Sequence, residues 1–406
     1  MKEIHNFSLK SIAAAAFTLA AILLLSQCEV PPTGGGGDND STAHYQPDTA
    51  WYTDNPDAAA FEISTADELA GLALLVTKEE SPVDFAGKTV RLTADIDLPE
   101  HYGKSYNDKF GWIPIGNKDR PFRGTFDGGG KAVKGLYIKG TNFYHIAGFF
   151  GRIDNGAVVK NVGLKDINIT GGNCLGGIVG SATGGGKVIN CHAIGVVNGN
   201  QAVGGVAGDI VDGEIKDCYF VGTVKAKRDV GGVVGNIDNV NVANCYALGD
   251  MVSGELQIGG VVGSADATSS TTVTNCYSTV GVSSSSISAG GIVGFIWNNV
   301  KVTDCAALNK SVYVKETEDR YFGRVVGYRP DNSTLSGNIA FSGMEGGAAW
   351  DSIGASNIDG ADITKDAVNS DGTLGGRFKT TDGWTTANGK LPGLGGSAVD
   401  MPEHLK

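Results

Sequence analysis

The chain has 406 residues, a formal net charge of −12 at pH 7, and 62 glycines against 11 prolines. Apolar residues make up 41% of it, which is too many for a disordered chain, and the glycine content is too high for a helical protein. The acidic balance and the lack of a long basic run exclude an electrostatic footprint for nucleic acid. A glycine-rich β protein fits these numbers.

The N-terminus has the pattern of an export signal. Lys2 and Lys10 flank the start of an apolar run of about 15 residues, which is too short to span a bilayer comfortably and has the size of a signal-peptide core. The next residues, "LSQC" (25–28), resemble the lipobox of bacterial lipoproteins, in which the cysteine becomes the lipidated first residue of the mature chain. We expect a signal peptide over residues 1–27 and lipidation at Cys28. The alternative is an ordinary secretory signal with an incidental cysteine.

Residues 28–58 are polar, rich in Gly and Pro and without apolar periodicity, which predicts a flexible tether. A helix is predicted next, over residues 65–77. Thr65 and Glu68 have the spacing of a capping box, and apolar residues follow at helical intervals.

A five-residue core of the type GG-I/V-V-G recurs seven times from residue 147 onward. Its final glycines are 29, 28, 27, 28, 31 and 33 residues apart. Self-similarity at this period is the signature of a solenoid, in which coils bury their apolar faces against one another. Glycine columns mark sharp corners or close backbone approach in such a stack. The cores are "AGFFG" (147–151), "GGIVG" (176–180), "GGVAG" (204–208), "GGVVG" (231–235), "GGVVG" (259–263), "GGIVG" (290–294) and "GRVVG" (323–327).

A second recurring position carries cysteine. It follows an Asn or Asp, and Val162 takes the same position in an earlier coil. Parallel side chains in a stack suit disulfides poorly, so we predict a buried ladder of thiols rather than bridges. CxxC spacing is absent, and no metal site is predicted. The cysteines are Cys191, Cys218, Cys245, Cys276 and Cys305.

If the cysteines point inward, pleating turns the following residues outward. These residues are His192, Tyr219, Tyr246 and Tyr277. They would form an aromatic strip on the outer surface, and we predict them as candidate ligand-binding residues for sugar rings. The alternative is that stacked aromatic residues only stabilise the sheet.

Several charged residues are candidates for catalysis. Asp95 and Asp97 alternate on a strand as a possible carboxylate pair, and a solvent-exposed face explains them equally well. The basic stretch "KAKRD" (225–229) and a group of acids lie near turns, where charged side chains are simply solvated. These acids are Asp209, Asp212, Glu214 and Asp217. Common zinc, serine-hydrolase, nucleotide and calcium motifs are missing from the sequence, so no catalytic residue and no cofactor are predicted.

The segment "GGIVGSATGGGKVINCHAIGVV" and its successors resemble the GLUG-motif repeat, found in bacterial surface proteins and in the non-catalytic region of some immunoglobulin A specific metallopeptidases. The resemblance covers roughly residues 59–345 and implies an all-β, right-handed parallel β-helix of seven or more coils. The predicted helix would cap its N-terminal edge. Residues 346–406 would close the other end, with Trp350, Trp384 and Leu391 as the seal.

These features predict a non-enzymatic, lipid-anchored outer-membrane protein at the cell surface of a Gram-negative envelope. It would act as an adhesin or glycan-binding solenoid, with an extracellular glycan or a host or matrix protein as partner. Its contact with the membrane would be through the lipid anchor only. The alternatives are a polysaccharide lyase or glycoside hydrolase, which would need Asp209–Asp217 or Lys225 and Arg228 to converge beside a groove, and a structural spacer.

Overall fold

The computed structural model describes residues 47–99, 102, 111–140, 146–315, 321–346 and 350–406. The predicted signal peptide and Cys28 lie outside these residues. No helix within the described ranges is both long and apolar enough to cross a bilayer.

The described chain forms a parallel β-solenoid of about nine turns, which confirms the predicted fold class. Three parallel sheets run along it. Sheet A consists of Ala60–Ile63, Thr89–Leu92, Thr125–Asp127, Phe150–Ile153, Val158–Lys160, Val179–Ala182, Lys187–Ile189, Ala207–Lys216, Val234–Ala243, Val262–Asp266, Thr271–Thr274, Val293–Ile296, Val300–Thr303, Val326–Tyr328 and Thr334–Ser336.

Sheets B and C form the other sides of the coils, and the six strands of sheet C begin at Asn173. Sheet B consists of Ile96–Asp97, Ala132–Lys134, Tyr137–Lys139, Gly163–Thr170, His192–Asn198, Tyr219–Lys225, Tyr246–Gly254, Tyr277–Ser278, Gly281–Ser284, Ala306–Ala307, Ser311–Val314, Ile339–Phe341, Glu345–Gly346 and Ala361–Ile363. Sheet C consists of Asn173–Leu175, Gln201–Gly204, Arg228–Gly231, Leu256–Gly259, Ser288–Gly290 and Tyr321–Gly323.

A few short elements lie outside the three sheets. Lys390–Leu391 pairs antiparallel with Val399–Asp400. The helices are Ala50–Thr53, Ala66–Thr77 and Lys365–Asp371, with short 3₁₀ turns at Thr380–Asp382 and Glu403–Leu405.

The helix Ala66–Thr77 confirms the predicted N-terminal helix. The Thr65 hydroxyl accepts a hydrogen bond from the backbone N–H of Glu68, and the Glu68 carboxylate accepts one from the backbone N–H of Thr65. Seven of its twelve residues are buried, among them Leu69, Leu72 and Val76. The reciprocal capping bonds fix where the helix starts, and the buried face holds it against the first coil.

The predicted tether is wrong for residues 47–58, which belong to the folded unit. The short helix Ala50–Thr53 places the Trp51 ring 6.0 Å from Phe85 and 5.5 Å from Phe61, centroid to centroid. The backbone N–H of Asp48 also donates to the carbonyl of Asp67. One helical turn carrying an aromatic side chain is too short to produce an apolar period, so the sequence pattern did not reveal this contact.

The repeated glycine core forms a sharp arch between sheet C and sheet A. A Cβ on the first glycine of the six cores from 176 onward would lie 1.8–2.3 Å from the carbonyl oxygen three residues later. The final glycine is equally confined. For Gly208, Gly235 and Gly263, a Cβ would lie 2.3–2.5 Å from the backbone of the sheet C strand one coil earlier. Only glycine permits this approach, so the sheet C strand and the first sheet A strand of a coil pack as the two arms of the arch.

The second glycine of each core faces the next coil at a distance that leaves no room for a side chain, and the last repeat, which has no glycine at this position, is the exception. From Gly177 to Gly291 its Cβ would lie 2.0–2.5 Å from the carbonyl oxygen of its counterpart one coil further on. The last core has Arg324 instead. Its side chain is 1% exposed and donates to Asp362 at 2.7 Å. Residues 350–363 follow the last arch, so no further glycine arch stacks on it.

The Asn or Asp before each cysteine adopts the left-handed conformation that these residues tolerate. Asn161, Asn190, Asp217, Asn244, Asn275 and Asp304 have φ between 50° and 57°. This turn sends the next side chain into the core, and all five column cysteines are at most 1% exposed. The predicted inward thiol ladder is therefore confirmed. Burial raises the pKa of Cys191, Cys245 and Cys305 well above the ordinary thiol value.

We predict that Gly232→Ala lowers the free energy of unfolding by about 3 kcal/mol or more, since a Cβ there would lie 2.2 Å from the carbonyl oxygen of Gly260. Gly281→Ala is the matched control in a sheet B strand, where the nearest atom would lie 3.3 Å away. It should change stability by about 1 kcal/mol or less. Chemical denaturation monitored by circular dichroism measures both, and equal losses would contradict the arch geometry.

Candidate functional site

The aromatic strip predicted from the sequence exists on the outer side of sheet B. His192, Tyr219, Tyr246 and Tyr277 pair in register. Their ring centroids are 4.6, 4.7 and 4.9 Å apart, with interplanar angles of 1°, 1° and 10°. The predicted outward orientation is confirmed, and the rings stack at the spacing that the strands impose.

The strip is not the open platform that was expected. Tyr246 is 3% exposed and Tyr277 is fully buried. The Trp384 ring packs 6.1 and 6.0 Å from these two rings, and the Tyr277 hydroxyl donates to the carbonyl of Pro392 at 2.7 Å. Two of the four predicted ligand-binding residues are therefore covered by the chain itself. Their apolar faces are satisfied by the C-terminal segment rather than by a ligand.

His192 and Tyr219 remain partly exposed at the uncovered end of the strip, and a binding role for them stays a prediction. Burial, aided by the positive charge of Lys165, lowers the pKa of His192 to about 4. Burial also raises the pKa of Tyr219. Both rings are therefore uncharged at neutral pH and stack without repulsion.

The predicted C-terminal seal also differs from expectation. Trp350 packs 5.6 Å from Phe322 in the last coils. Trp384 instead lies against the outer side of sheet B, and Leu391 is buried in the same segment. The segment around Trp384 and Leu391 therefore covers a lateral face of the solenoid, where the tyrosine rings offer an apolar surface.

Most of the acidic candidates do not come together. Asp212 accepts a hydrogen bond from Asn239, Glu214 pairs with Lys187 at 3.3 Å, and Asp217 accepts from Asn244. They serve different corners of the coil.

The candidate pair near the N-terminus is likewise structural. Asp95 accepts a hydrogen bond from the backbone N–H of Ala132. Asp97 is exposed to solvent in its two-residue strand. The hydrogen bond of Asp95 and the solvent exposure of Asp97 account for these residues without a catalytic role.

Two other columns face each other between the arms of the arch, and we call the space between them the arch cleft. One column lies two residues before the first glycine of each core, and the other directly follows the final glycine. The rings of Tyr321 and Tyr328, one from each column, are 4.8 Å apart. The first column is Cys174, Ala202, Asp229, Gln257, Ser288 and Tyr321; the second is Arg152, Ser181, Asp209, Asn236, Ser264, Phe295 and Tyr328.

A pair of carboxyl groups occupies the middle of the arch cleft. Asp209 is partly exposed and accepts a hydrogen bond from Asn236 at 2.9 Å. Asp229, on the opposite arm, is 6% exposed and lies 3.6 Å from Arg228. Burial raises the pKa of Asp209. Burial and the charge of Asp209 raise the pKa of Asp229 to about 6, against the opposing effect of Arg228.

An aromatic cluster occupies the C-terminal end of the same cleft. The Phe295 ring stacks on Tyr328 at 4.5 Å and lies 4.8 Å from Trp297. Tyr321, on the other arm, is 43% exposed. The Trp297 indole N–H donates to the Ser264 hydroxyl at 3.0 Å. Aromatic surface therefore remains open at this end.

Three buried polar atoms of the two columns have no hydrogen-bond partner in the described part of the chain. They are Nε of Arg152, Oε1 of Gln257 and Oγ of Ser288. Gln257 and Ser288 are at least 94% buried and lie between Asp229 and Tyr321 in the same column. Because these atoms are closed off from solvent, their missing partners are a cost that the fold carries.

Sequence reasoning did not identify this cleft, although it singled out both the Asp209 stretch and "KAKRD". The two columns flank every glycine core, so the signal was present in the repeat alignment. What the repeat alone did not show is that the core folds back as an arch and brings its flanks together.

A groove of ≈ 670 Å³ follows the corner between sheets B and C. It is lined by corner residues of successive coils, including Lys225, Lys227 and Glu255. In the described residues, no three His, Cys, Asp or Glu side chains are grouped so that they could hold a metal ion.

Comparison with known proteins gives partial matches. No protein-family model matches the chain, so the resemblance to the GLUG-motif repeat stays a prediction. Halomucin of Haloquadratum walsbyi (strain DSM 16790 / HBSQ001) is 34% identical over 140 residues. The match covers 34% of this chain and 1% of halomucin, so this chain spans a very small part of that relative.

Two solved structures are similar. One is the crystal structure of a Bacteroides ovatus protein with a provisional assignment as an immunoglobulin A1 protease. It has a TM-score of 0.54 and 19% identity, over 83% of this chain and 93% of that protein. The other, an IgA1 protease, has a TM-score of 0.46 and 17% identity, over 70% of this chain and 21% of that protein. The first match shows the β-helix fold.

The prediction that this chain is not an enzyme is contradicted by that comparison, because the fold is shared with a protein assigned as a protease. At 19% identity the likeness shows the fold alone. It transfers neither a peptidase reaction nor catalytic residues. The exclusion of catalysis is withdrawn.

We predict that Tyr277→Ala lowers the free energy of unfolding by about 3–5 kcal/mol, because it removes a fully buried ring and the contact with Pro392. Tyr219→Ala, at the uncovered end of the same strip, should cost about 1 kcal/mol. Thermal unfolding of the two variants measures the difference. Similar small losses would mean that the C-terminal segment does not cover the strip in solution.

Proposed function

We propose that this chain is a lipid-anchored surface protein that binds polysaccharide along the arch cleft. The observation that carries the proposal is the aromatic cluster of Phe295, Trp297, Tyr321 and Tyr328, which leaves aromatic surface open at the C-terminal end of the cleft. Aromatic surface combined with a few placed polar groups is typical of small-molecule and sugar sites.

The cleft offers both kinds of contact that a sugar ring needs. The apolar C–H face of a pyranose packs on an aromatic ring, and Tyr321 and Tyr328 present rings from opposite arms. The hydroxyl groups need hydrogen-bond partners. Asp209 and Asn236, which are partly exposed in the second column, supply polar groups for them.

The shape of the cleft favours an extended ligand. Its two columns continue from coil to coil, so each coil adds a further pair of facing residues about 4.8 Å along the axis. A polymer with repeating units matches such a surface better than a compact ligand does. We therefore choose a glycan over a folded host or matrix protein as partner.

Placement at the cell surface rests on the N-terminal sequence. The apolar run and "LSQC" support export and attachment through Cys28, and the partial likeness to halomucin supports a surface protein. We propose an outer-membrane lipoprotein of a Gram-negative envelope. Its contact with the membrane is the lipid anchor, and the cleft faces the surroundings of the cell.

We predict that the full chain in detergent is retarded during native electrophoresis in gels containing xylan, mannan, amylose or pectin. Tyr321→Ala should weaken the retained complex about tenfold or more, since exposed aromatic residues dominate such contacts. Tyr313→Ala is the matched control, because Tyr313 is 44% exposed on sheet B and Tyr321 is 43% exposed in the cleft. Equal effects of the two variants would refute binding in the cleft.

We also predict that Cys28→Ser abolishes incorporation of radiolabelled palmitate and releases the chain from the membrane fraction, because acyl chains supply the anchoring energy. Cys174→Ser, which changes a cysteine within the solenoid, should leave labelling unchanged. Continued labelling of the Cys28→Ser variant would show that the anchor lies elsewhere or does not exist.

A further inference from the structure

We propose that the groove at the corner between sheets B and C, which we call the corner groove, binds the acidic groups of a charged polysaccharide through Lys225 and Lys227. The corner groove lies where the coils pass from sheet B into sheet C, whereas the arch cleft lies between sheet C and sheet A. The inference therefore assigns a second site and does not depend on the first.

The corner groove extends along the solenoid from coil to coil. Its lining comes from four successive coils, through residues 198–199, 225–227, 253–255 and, in the last coil, Ser283 and Ser285. Three coil steps of about 4.8 Å make it about 14 Å long. Its volume of ≈ 670 Å³ is in the usual range of ligand sites. The groove therefore has room for more than one sugar unit of an extended polymer.

Both lysines project from the same corner of one coil. Ala226, between them, is 7% exposed and packs in the hydrophobic core, whereas Lys225 and Lys227 are exposed. Because successive side chains of an extended segment point to opposite sides, the inward turn of Ala226 directs both lysines outward. Two ammonium groups are thus presented together in the groove.

These two charges are not used by the fold. Within the described ranges, neither ammonium group forms an ion pair or a hydrogen bond, whereas the adjacent Arg228 lies 3.6 Å from Asp229. Glu255 is the acidic residue of the lining. The groove thus has two positive charges against one negative charge, in a chain with a net charge of −12. A local excess of positive charge attracts anionic groups.

Neighbouring coils form the same corner without charge. Lys225 stands in one column with Asn198 and Ser253. Asn200 takes the place of Lys227 in the preceding coil, since its carbonyl accepts a hydrogen bond from the Lys227 backbone N–H. The corner therefore does not require lysine at either position, and binding of an anionic ligand accounts for the pair.

Uncharged polar groups complete the lining. The Asn198 amide and the hydroxyl groups of Ser253, Ser283 and Ser285 lie in the groove beside the lysines. Amides and hydroxyls both donate and accept hydrogen bonds, as sugar hydroxyls do. A lysine ammonium is a point charge that pairs with a carboxylate or a sulfate alike. This combination fits a polysaccharide that carries uronate or sulfate groups.

The test compares polymers that share a backbone and differ in charge. The full chain in detergent is titrated over immobilised polygalacturonate and its methyl ester, dextran sulfate and dextran, and amylose. We expect a lower apparent Kd for at least one acidic polymer than for its neutral counterpart. Salt at about 1 M, where the Debye length is about 3 Å, should abolish the difference.

The double variant Lys225→Gln/Lys227→Gln should raise the apparent Kd for the acidic polymer about tenfold, which is the effect of losing two exposed ion pairs. Its binding to amylose should be unchanged, because amylose is neutral and the arch cleft is intact. An unchanged melting temperature and circular dichroism spectrum establish that the variant folds.

Lys301→Gln/Lys310→Gln is the matched control, since it removes the same charge from two exposed lysines outside the groove. It should change the apparent Kd by about twofold or less. Equal effects of the two double variants would overturn the inference, because overall charge would then explain the attraction. Equal binding of acidic and neutral polymers would overturn it as well. Binding of acidic polymers without binding of amylose, dextran or the methyl ester would instead count against the arch cleft and leave the corner groove standing.

Discussion

The close approach of two backbones at the glycine arch is the constraint on which this structure depends. A Cβ on the first glycine of Gly259–Gly263 would lie 1.8 Å from the carbonyl oxygen of Val262, a distance that no side chain permits. The arch returns the chain from sheet C to sheet A within a few residues, and it does so in the successive coils that carry the repeated core. The strands of sheet C therefore lie against sheet A, and the cleft between them exists because the arch holds its two arms together.

Stacking then converts each position of the coil into a column, and the columns show which residues the fold itself needs. Identical rings stack well, so His192 and three tyrosines follow one another on sheet B. Like charges one step apart would repel strongly in a partly buried column. Asp209 accordingly has Ser181 and Asn236 as its neighbours in the column. Carboxylates do stack directly elsewhere in sheet A, where Asp238 pairs with Asp266, and burial together with the charge of Asp266 raises the pKa of Asp238.

Sequence patterns predicted the features of the structure that repeat from coil to coil and missed the contacts that occur only once. The solenoid, the helix after Thr65, the inward cysteines and the outward tyrosines all follow from periodic patterns, which local physics fixes. The contact of Tyr277 with Pro392 joins residues 115 positions apart in a part of the chain without a repeat. Trp51 similarly reaches Phe85 from a single helical turn. Such contacts depend on which apolar surfaces remain open after the coils have stacked, and a one-dimensional pattern does not contain that information.

Asp229 is a residue that the arch does not need in order to form. The same position in neighbouring coils is Ala202 and Gln257, so the arch forms equally well with an uncharged residue. A carboxyl group whose pKa is raised by burial contributes stability at low pH that is lost as the pH rises through about 6. At neutral pH this residue thus brings the cost of a buried charge, offset only in part by Arg228. Within a repeat that supplies its own comparison, Asp229 is therefore a residue that the architecture of the arch does not require.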